Sequence, residues 1–173
     1  MKKSIAMILC CLLLTGCEKV STGGTVPTRV ATAPVETIET TAPVETTAPG
    51  YTLALYAPNE DATGFVYSTW ELSELSPSAL CDAFIEVGVL QEGVAFNSLQ
   101  VEGSQVLLDV NAAFGQLIGS YGTAGEYMIM GSVVNTLLGA YNAETILITM
   151  DGQILESGHA IYDFPLGFFE NNG

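Results

Sequence analysis

The sequence predicts an α+β domain over residues 50–173, a mixed β-sheet with two α-helices packed on one face. Three observations predict it. Short segments of alternating apolar residues come in pairs joined by turn residues, the pattern of β-hairpins. Two longer segments open on helix-capping residues and continue with apolar positions at helical spacing. The helical segments fall between the hairpins, in the order β, β, α, β, β, α, β, β, and helices so interleaved pack most economically on one face of a single sheet.

Tyr51 to Ala57 alternates, with Leu53 and Leu55 on one side, and Phe65 to Trp70 is rich in aromatic and β-branched residues. Pro58-Asn59-Glu60-Asp61 and Gly64 supply the turn between them, so these are two strands of a hairpin with a long loop. A helix follows: Ser76 as N-cap, Pro77 at the first position, Leu75 placed to staple against Leu80, and Leu80, Phe84 and Val87 on one face. Gly88 ends it. Val94 to Val101 and Ser104 to Val110 form a tight hairpin around Glu102-Gly103, with Val106, Leu108 and Val110 pointing one way.

The second helix opens at Thr123-Ala124-Gly125-Glu126, a capping-box pattern in which Thr123 caps and Glu126 reaches back. It runs to about Tyr141. Tyr127, Met128, Ile129, Met130, Val133, Val134, Leu137 and Leu138 cover nearly its whole circumference, which predicts burial on more than one side. Gly131, Ser132 and Gly139 offer a thin strip for close backbone approach. Thr145 to Met150 reads as a strand inside a sheet, and Asp151-Gly152 turns the chain into Gln153 to Leu155. Thr, Ser and Gln at alternate strand positions predict that the second sheet face is open to solvent. Only negative charge is available to protect an open edge.

Ahead of the domain, Lys2 and Lys3 precede an apolar run from Ile5 to Leu14 that is too short to cross a bilayer as a helix. Residues 1–16 read as an export signal. Leu14-Thr15-Gly16-Cys17 resembles the lipobox of bacterial lipoproteins, in which the thiol receives a diacylglyceryl group and becomes the mature N-terminus. Cys17 is therefore the predicted lipidation site, anchoring the rest of the chain at the cell membrane on its extracytoplasmic side. The alternative is an ordinary cleaved signal that leaves Cys17 an unmodified thiol. Each buried methylene contributes about 0.8 kcal/mol, so one acyl chain holds marginally and two or more hold stably.

Residues 17–49 read as a spacer. Thr32-Ala33-Pro34-Val35-Glu36-Thr37 recurs as Thr41-Ala42-Pro43-Val44-Glu45-Thr46, with a partial copy at Thr47-Ala48-Pro49. Small apolar side chains and no aromatics cannot offset the entropy of ordering such a segment. Fully extended at about 3.1 Å per residue it would reach roughly 100 Å, and as a flexible coil about 30 Å.

Charge is divided between the two parts. All four Lys and Arg residues (Lys2, Lys3, Lys19, Arg29) precede position 50, while fifteen of the nineteen Asp and Glu residues follow it. A domain without cations beyond His159 has nothing to hold phosphate, which excludes nucleic acid as a partner. Cys10 and Cys11 lie in the signal, so Cys81 is the one cysteine of the folded part, and an ordinary hydrophobic core replaces disulfides. Cys81 sits at an apolar helical position with no cation nearby, and reads as a small buried hydrophobe rather than a nucleophile.

No pattern here calls for an enzyme, a cofactor or a metal. Ser157, His159 and Asp163 could be imagined as a hydrolytic triad, but residues so near in sequence seldom face each other, and no nucleophile elbow surrounds Ser157. Asn59-Glu60-Asp61 lacks the spacing of an EF-hand loop. One His and one Cys make a poor zinc site. Met128 and Met130 read as core. Trp70, Tyr67 and Tyr56 are candidate aromatic anchors for a partner, and equally candidates for the core.

The stretch from Gly122-Thr123-Ala124-Gly125-Glu126, through Ser132-Val133-Val134-Asn135-Thr136, to Ile146-Leu147-Ile148-Thr149-Met150-Asp151-Gly152, ending Gly158-His159 and Pro165-Leu166, resembles the GerMN domain, named for spore-germination and sporulation proteins. Leu107-Leu108-Asp109-Val110 is similar too, so the resemblance covers most of residues 51 to 169. It implies a fold like the ring-building motif of sporulation channel components, a βαββαβ-like module of lipid-anchored envelope proteins used for assembly rather than catalysis. The protein that names the family carries two such domains in tandem; one is read here. The expected function is a non-catalytic interaction domain, held at the membrane through Cys17, with a protein partner in a cell-envelope complex of sporulation or germination. The alternative is a module that binds a small envelope ligand, a wall fragment or Ca²⁺, through the loops around Asn59 to Asp61 and His159 to Asp163.

Overall fold

Antiparallel strands β1 (Tyr51–Pro58) and β2 (Phe65–Leu72) open the domain in a computed structural model that describes residues 50–171. The export signal, Cys17 and the spacer lie outside the described residues. The hairpin register runs from Tyr51 opposite Leu72 to Pro58 opposite Phe65. Helix α1 (Pro77–Glu86) is capped as its sequence predicts, the Ala79 amide donating to Ser76 Oγ at 3.2 Å. Gly88 follows its end at φ +79°, a conformation that glycine adopts without steric cost.

Next come the hairpin β3 (Phe96–Glu102) and β4 (Gln105–Val110), two helices, α2 (Ala112–Gly119) and α3 (Thr123–Tyr141), then β5 (Thr145–Met150), β6 (Gln153–Glu156) and β7 (Ile161–Tyr162). β4 and β5 are parallel neighbours, Val106 opposite Ile146 and Leu108 opposite Ile148, as the long α2–α3 crossover requires. The other pairs are antiparallel, giving a mixed five-stranded sheet in the order β3-β4-β5-β6-β7. Asp151 and Gly152, at φ +50° and +74°, make the predicted tight turn.

The α+β class stands, with all three helices on one face of this sheet. Val106, Leu108, Val110, Ile146 and Ile148 are buried on that face. α1 meets it at Phe96, whose ring lies edge-on to Phe84 with centroids 6.1 Å apart. α2 meets it at Met150, and α3 lies over β4 and β5. The opposite face, with Gln105, Leu107, Asp109, Leu147 and Thr149, is half-buried and open, as expected.

Five details differ from the sequence reading, the first being a seventh strand, the short β7, after the six read from the sequence. The chain between Val110 and Thr123 is the helix α2, opened by Asn111, whose Oδ1 accepts from the Phe114 amide. The hairpin β1–β2 is a separate two-stranded sheet instead of part of the mixed one. The reason lies in α3: twelve of its nineteen residues are buried, and a helix apolar all round needs cover from more than one direction, which one sheet cannot give. β1 supplies that second cover, with Leu53 and Leu55 joining the same core as the sheet. The capping box does not form. Gly122 is the N-cap and makes no side-chain bond, while Glu126 is buried and accepts from Tyr162 Oη at 2.5 Å. Lastly, Gly131 admits the ring of Phe65 rather than a backbone, and a side chain there would occupy the ring's place; Gly139 faces open space.

Candidate functional site

After β7 the described residues form no helix or strand, yet they are fixed one by one. Leu166 bridges to Ile146 through two backbone bonds of 2.9 and 2.7 Å. The fully buried Asn135 of α3 then brackets Phe169, donating from Nδ2 to its carbonyl at 2.9 Å and accepting its amide at 2.8 Å. Tyr127 Oη donates to the Glu170 carbonyl at 2.9 Å, and the Phe65 amide donates to Asn171 Oδ1 at 2.6 Å. This strap joins β5, α3 and β2.

It also sets Phe168 against the hairpin. The Phe168 ring lies edge-on to Tyr56 with centroids 5.7 Å apart, and Tyr56 pairs across the strands with Tyr67 at 5.4 Å. Tyr67 is 66% and Phe168 55% exposed. An aromatic cluster so exposed leaves apolar surface in water that a partner could cover. The cluster borders a groove of about 830 Å³ between β1 and the C-terminal half of α3.

Of the three aromatic anchors named from the sequence, the structure therefore brings Tyr56 and Tyr67 together. Trp70 lies on the other face of the hairpin, opposite Leu53, half-buried and packed against the core. Nothing in the sequence singles out Phe168. Its run, Phe164-Pro165-Leu166-Gly167-Phe168-Phe169, has neither helical nor strand periodicity, so nothing local marks which aromatic stays outside.

The open sheet face carries a polar cluster around Asp109. Its Oδ1 accepts from Thr149 Oγ1 at 2.6 Å and from the Gly152 amide at 2.8 Å, and its Oδ2 accepts from Asn97 Nδ2 at 2.8 Å. Burial pushes the carboxyl up, but these bonds to the charged form outweigh it and hold Asp109 below the usual carboxylate range. The arrangement clamps β3, β4 and the β5–β6 turn together.

The remaining candidates are occupied structurally. Asn59 folds its side chain into its own loop, Oδ1 accepting from the amides of Thr63 and Gly64. Ser157 Oγ accepts from the amides of His159 and Ala160, and no hydrogen bond joins the His159 ring to Ser157 or Asp163 among the described residues. Cys81 is buried; desolvation pushes its thiol up to about 11, leaving almost no thiolate at neutral pH. Met128 and Met130 are in the interior. Among the described residues no group of three or more His, Cys, Asp or Glu is placed to hold a metal, and no helix is long and apolar enough to cross a membrane.

No protein-family model and no curated protein matches this chain. Among solved structures, the domain is similar to the tandem GerMN domains of the sporulation protein GerM from Bacillus subtilis, at 18% identity and a TM-score of 0.49 over 78% of this chain. The chain spans about half of that tandem structure, 51%. It is also similar to a protein from Clostridium perfringens assigned by name as a lipoprotein, at 15% identity and a TM-score of 0.46, covering 72% of this chain and 95% of that one.

Proposed function

We propose that the protein is a lipid-anchored envelope protein whose domain, residues 50–173, binds another protein and carries out no reaction. In this reading residues 1–16 direct export, Cys17 carries the lipid and the segment to residue 49 spaces the domain from the membrane. The observation that carries the interaction role is the exposed cluster of Tyr56, Tyr67 and Phe168 beside an open groove. Aromatic residues at a surface, rigid and costly to leave hydrated, are the usual anchors of protein interfaces. The acidic character of the domain supports a protein partner and argues against anionic polymers. The GerMN resemblance of the sequence adds the setting, an assembly of sporulation or germination at the cell envelope.

Crosslinking in the protein's own membranes tests both halves. A fatty-acid label should enter the wild-type chain and not Cys17→Ser, and one stoichiometric protein should be captured with wild type and lost with the double variant Tyr67→Ala/Phe168→Ala. Labelling of Cys17→Ser sinks the anchor. Failure to enrich any protein above the double variant sinks the interaction role.

A further inference from the structure

The groove beside the aromatic cluster has one wall made of strand edge. Tyr56 donates its amide to Thr136 Oγ1 on α3 at 2.9 Å, so its backbone points away from β2. In an antiparallel pair every second residue turns its N–H and C=O the same way, so Thr52 and Ala54 present theirs on that side too. Both line the groove, and among the described residues neither makes a backbone bond beyond the β1–β2 ladder. Proteins usually cover or charge such an edge. Here α3 covers it at Tyr56 and leaves it bare from Thr52 to Ala54.

The opposite wall is the C-terminal end of α3, and it is electronegative. The last turn contains no basic residue, so the negative end of the helix dipole is uncompensated. Glu144 lines the same wall. No Lys or Arg follows position 50 to neutralise either. At the far end the rings of Tyr56 and Phe168 offer faces on which a cation or its alkyl stem can rest.

We propose that this groove receives an extended, Lys- or Arg-bearing segment of the partner protein, which adds to the outer edge of β1 as a strand. The proposal rests on the interaction role inferred above. Charge selects the occupant. A second copy of the domain would bring acid to acid, and the chain just ahead of β1 brings Glu45 and no cation. Thr52 to Tyr56 spans about 13 Å at roughly 3.3 Å per residue, room for about four residues of a partner strand. Main-chain bonds give such a strand affinity, and alternate side chains give it specificity.

The test uses the full mature chain and an octapeptide of alternating Lys and Val, with a Glu-Val octapeptide beside it. Amide exchange read by NMR should slow at Thr52 and Ala54 with the Lys-Val peptide alone, and the binding should weaken as salt rises. Ala54→Pro removes only an outward N–H, which an edge position tolerates, and should weaken binding about tenfold with the hairpin ladder intact. Glu144→Gln, on the surface, should weaken it about threefold. Equal binding of the Glu-Val peptide, unchanged binding by both variants, or protection of Thr52 and Ala54 that grows with protein concentration overturns the proposal. So does protection already present in the free chain and released by Arg29→Glu, since the chain's own spacer would then be the occupant. A membrane complex captured as above without protection at Thr52 and Ala54 overturns the groove and leaves the interaction role standing; loss of both overturns both.

Discussion

The strands of the five-stranded sheet and the β1–β2 hairpin are held in the domain by different means. In the sheet, the β3–β4 and β4–β5 ladders repeat their bonds along the strands, and Val106, Leu108, Ile146 and Ile148 bury one face against the helices. The hairpin shares no ladder with that sheet. Beyond the apolar contacts of Leu53, Leu55, Ala57, Phe65, Trp70 and Leu72, it is held by single polar bonds, Tyr56 to Thr136 and Phe65 to Asn171, while Asn135 secures the strap that carries Asn171. A ladder losing one bond keeps its neighbours. A docking bond lost has no substitute, so stability in the two regions should respond differently to the same kind of change.

The largest expected effect is at Asn135. Asn135→Leu leaves the amide and carbonyl of the half-buried Phe169 without partners, at a cost of about 2–4 kcal/mol in chemical denaturation. Hydrogen exchange should show the strap and hairpin opening before β4 and β5. Uniform loss of protection across both regions would instead make them one cooperative unit and remove the distinction.

Tyr162→Phe comes next and probes the sheet side. It takes the donor from Glu126 Oε1, whose other oxygen is already buried without a partner among the described residues, and should cost about 1–3 kcal/mol. Burial, then the bond to Glu126 and its charge, push the Tyr162 phenol far above its ordinary range. Because the folded value is the higher one, this stability is whole below the ordinary tyrosine value of about 10 and fades as pH rises beyond it. The variant should lack that alkaline loss in a melting series across pH.

Thr136→Val, which keeps the shape and removes the hydroxyl, should cost about 1 kcal/mol and accelerate exchange in the hairpin alone. Smallest is the acid response of Asp109. Its carboxyl is lowered in the folded state, so its contribution is whole above the usual value of about 3.9 and disappears as pH falls through the folded one. Asp109→Asn should lower the melting temperature at neutral pH, where the contribution is whole, and flatten its fall below about pH 4; an unchanged acid profile would show that the clamp around Asp109 contributes nothing to stability.

Much of this fold was legible residue by residue because its signals are short-ranged. Ser76, Pro77 and Gly88 bound α1, Asp151-Gly152 turns β5 into β6, and the alternation of Val106, Leu108 and Val110 names the buried face of β4. For α2 a signal existed in Asn111 followed by Phe114, Leu117 and Ile118 at helical spacing, but Gly115 and Gly119 weaken it. Gly115 is there because Met150 packs where a side chain would stand. The Thr123–Glu126 capping box was outcompeted by Tyr162, 36 residues further on. In the candidate site Tyr56 and Tyr67 could be named in advance, while Phe168 and the exclusion of Trp70 could not. Cys17 is a reading of the sequence alone.

By itself the sequence determined the α+β class, most element boundaries, the separation of all cations from the acidic domain, and an α3 too apolar for a single cover. Only the tertiary structure decided that β1 would be the second cover, that Asn135 and Thr136 would be spent on the strap and the hairpin, and that the outer edge of β1, without a backbone partner at Thr52 and Ala54 among the described residues, would line a groove. Periodicity, caps and turns act over a few residues, whereas Thr136 finds its partner 80 residues away and Asn135 finds its own at 34. Contacts at such separations depend on how whole elements pack, which no local pattern encodes.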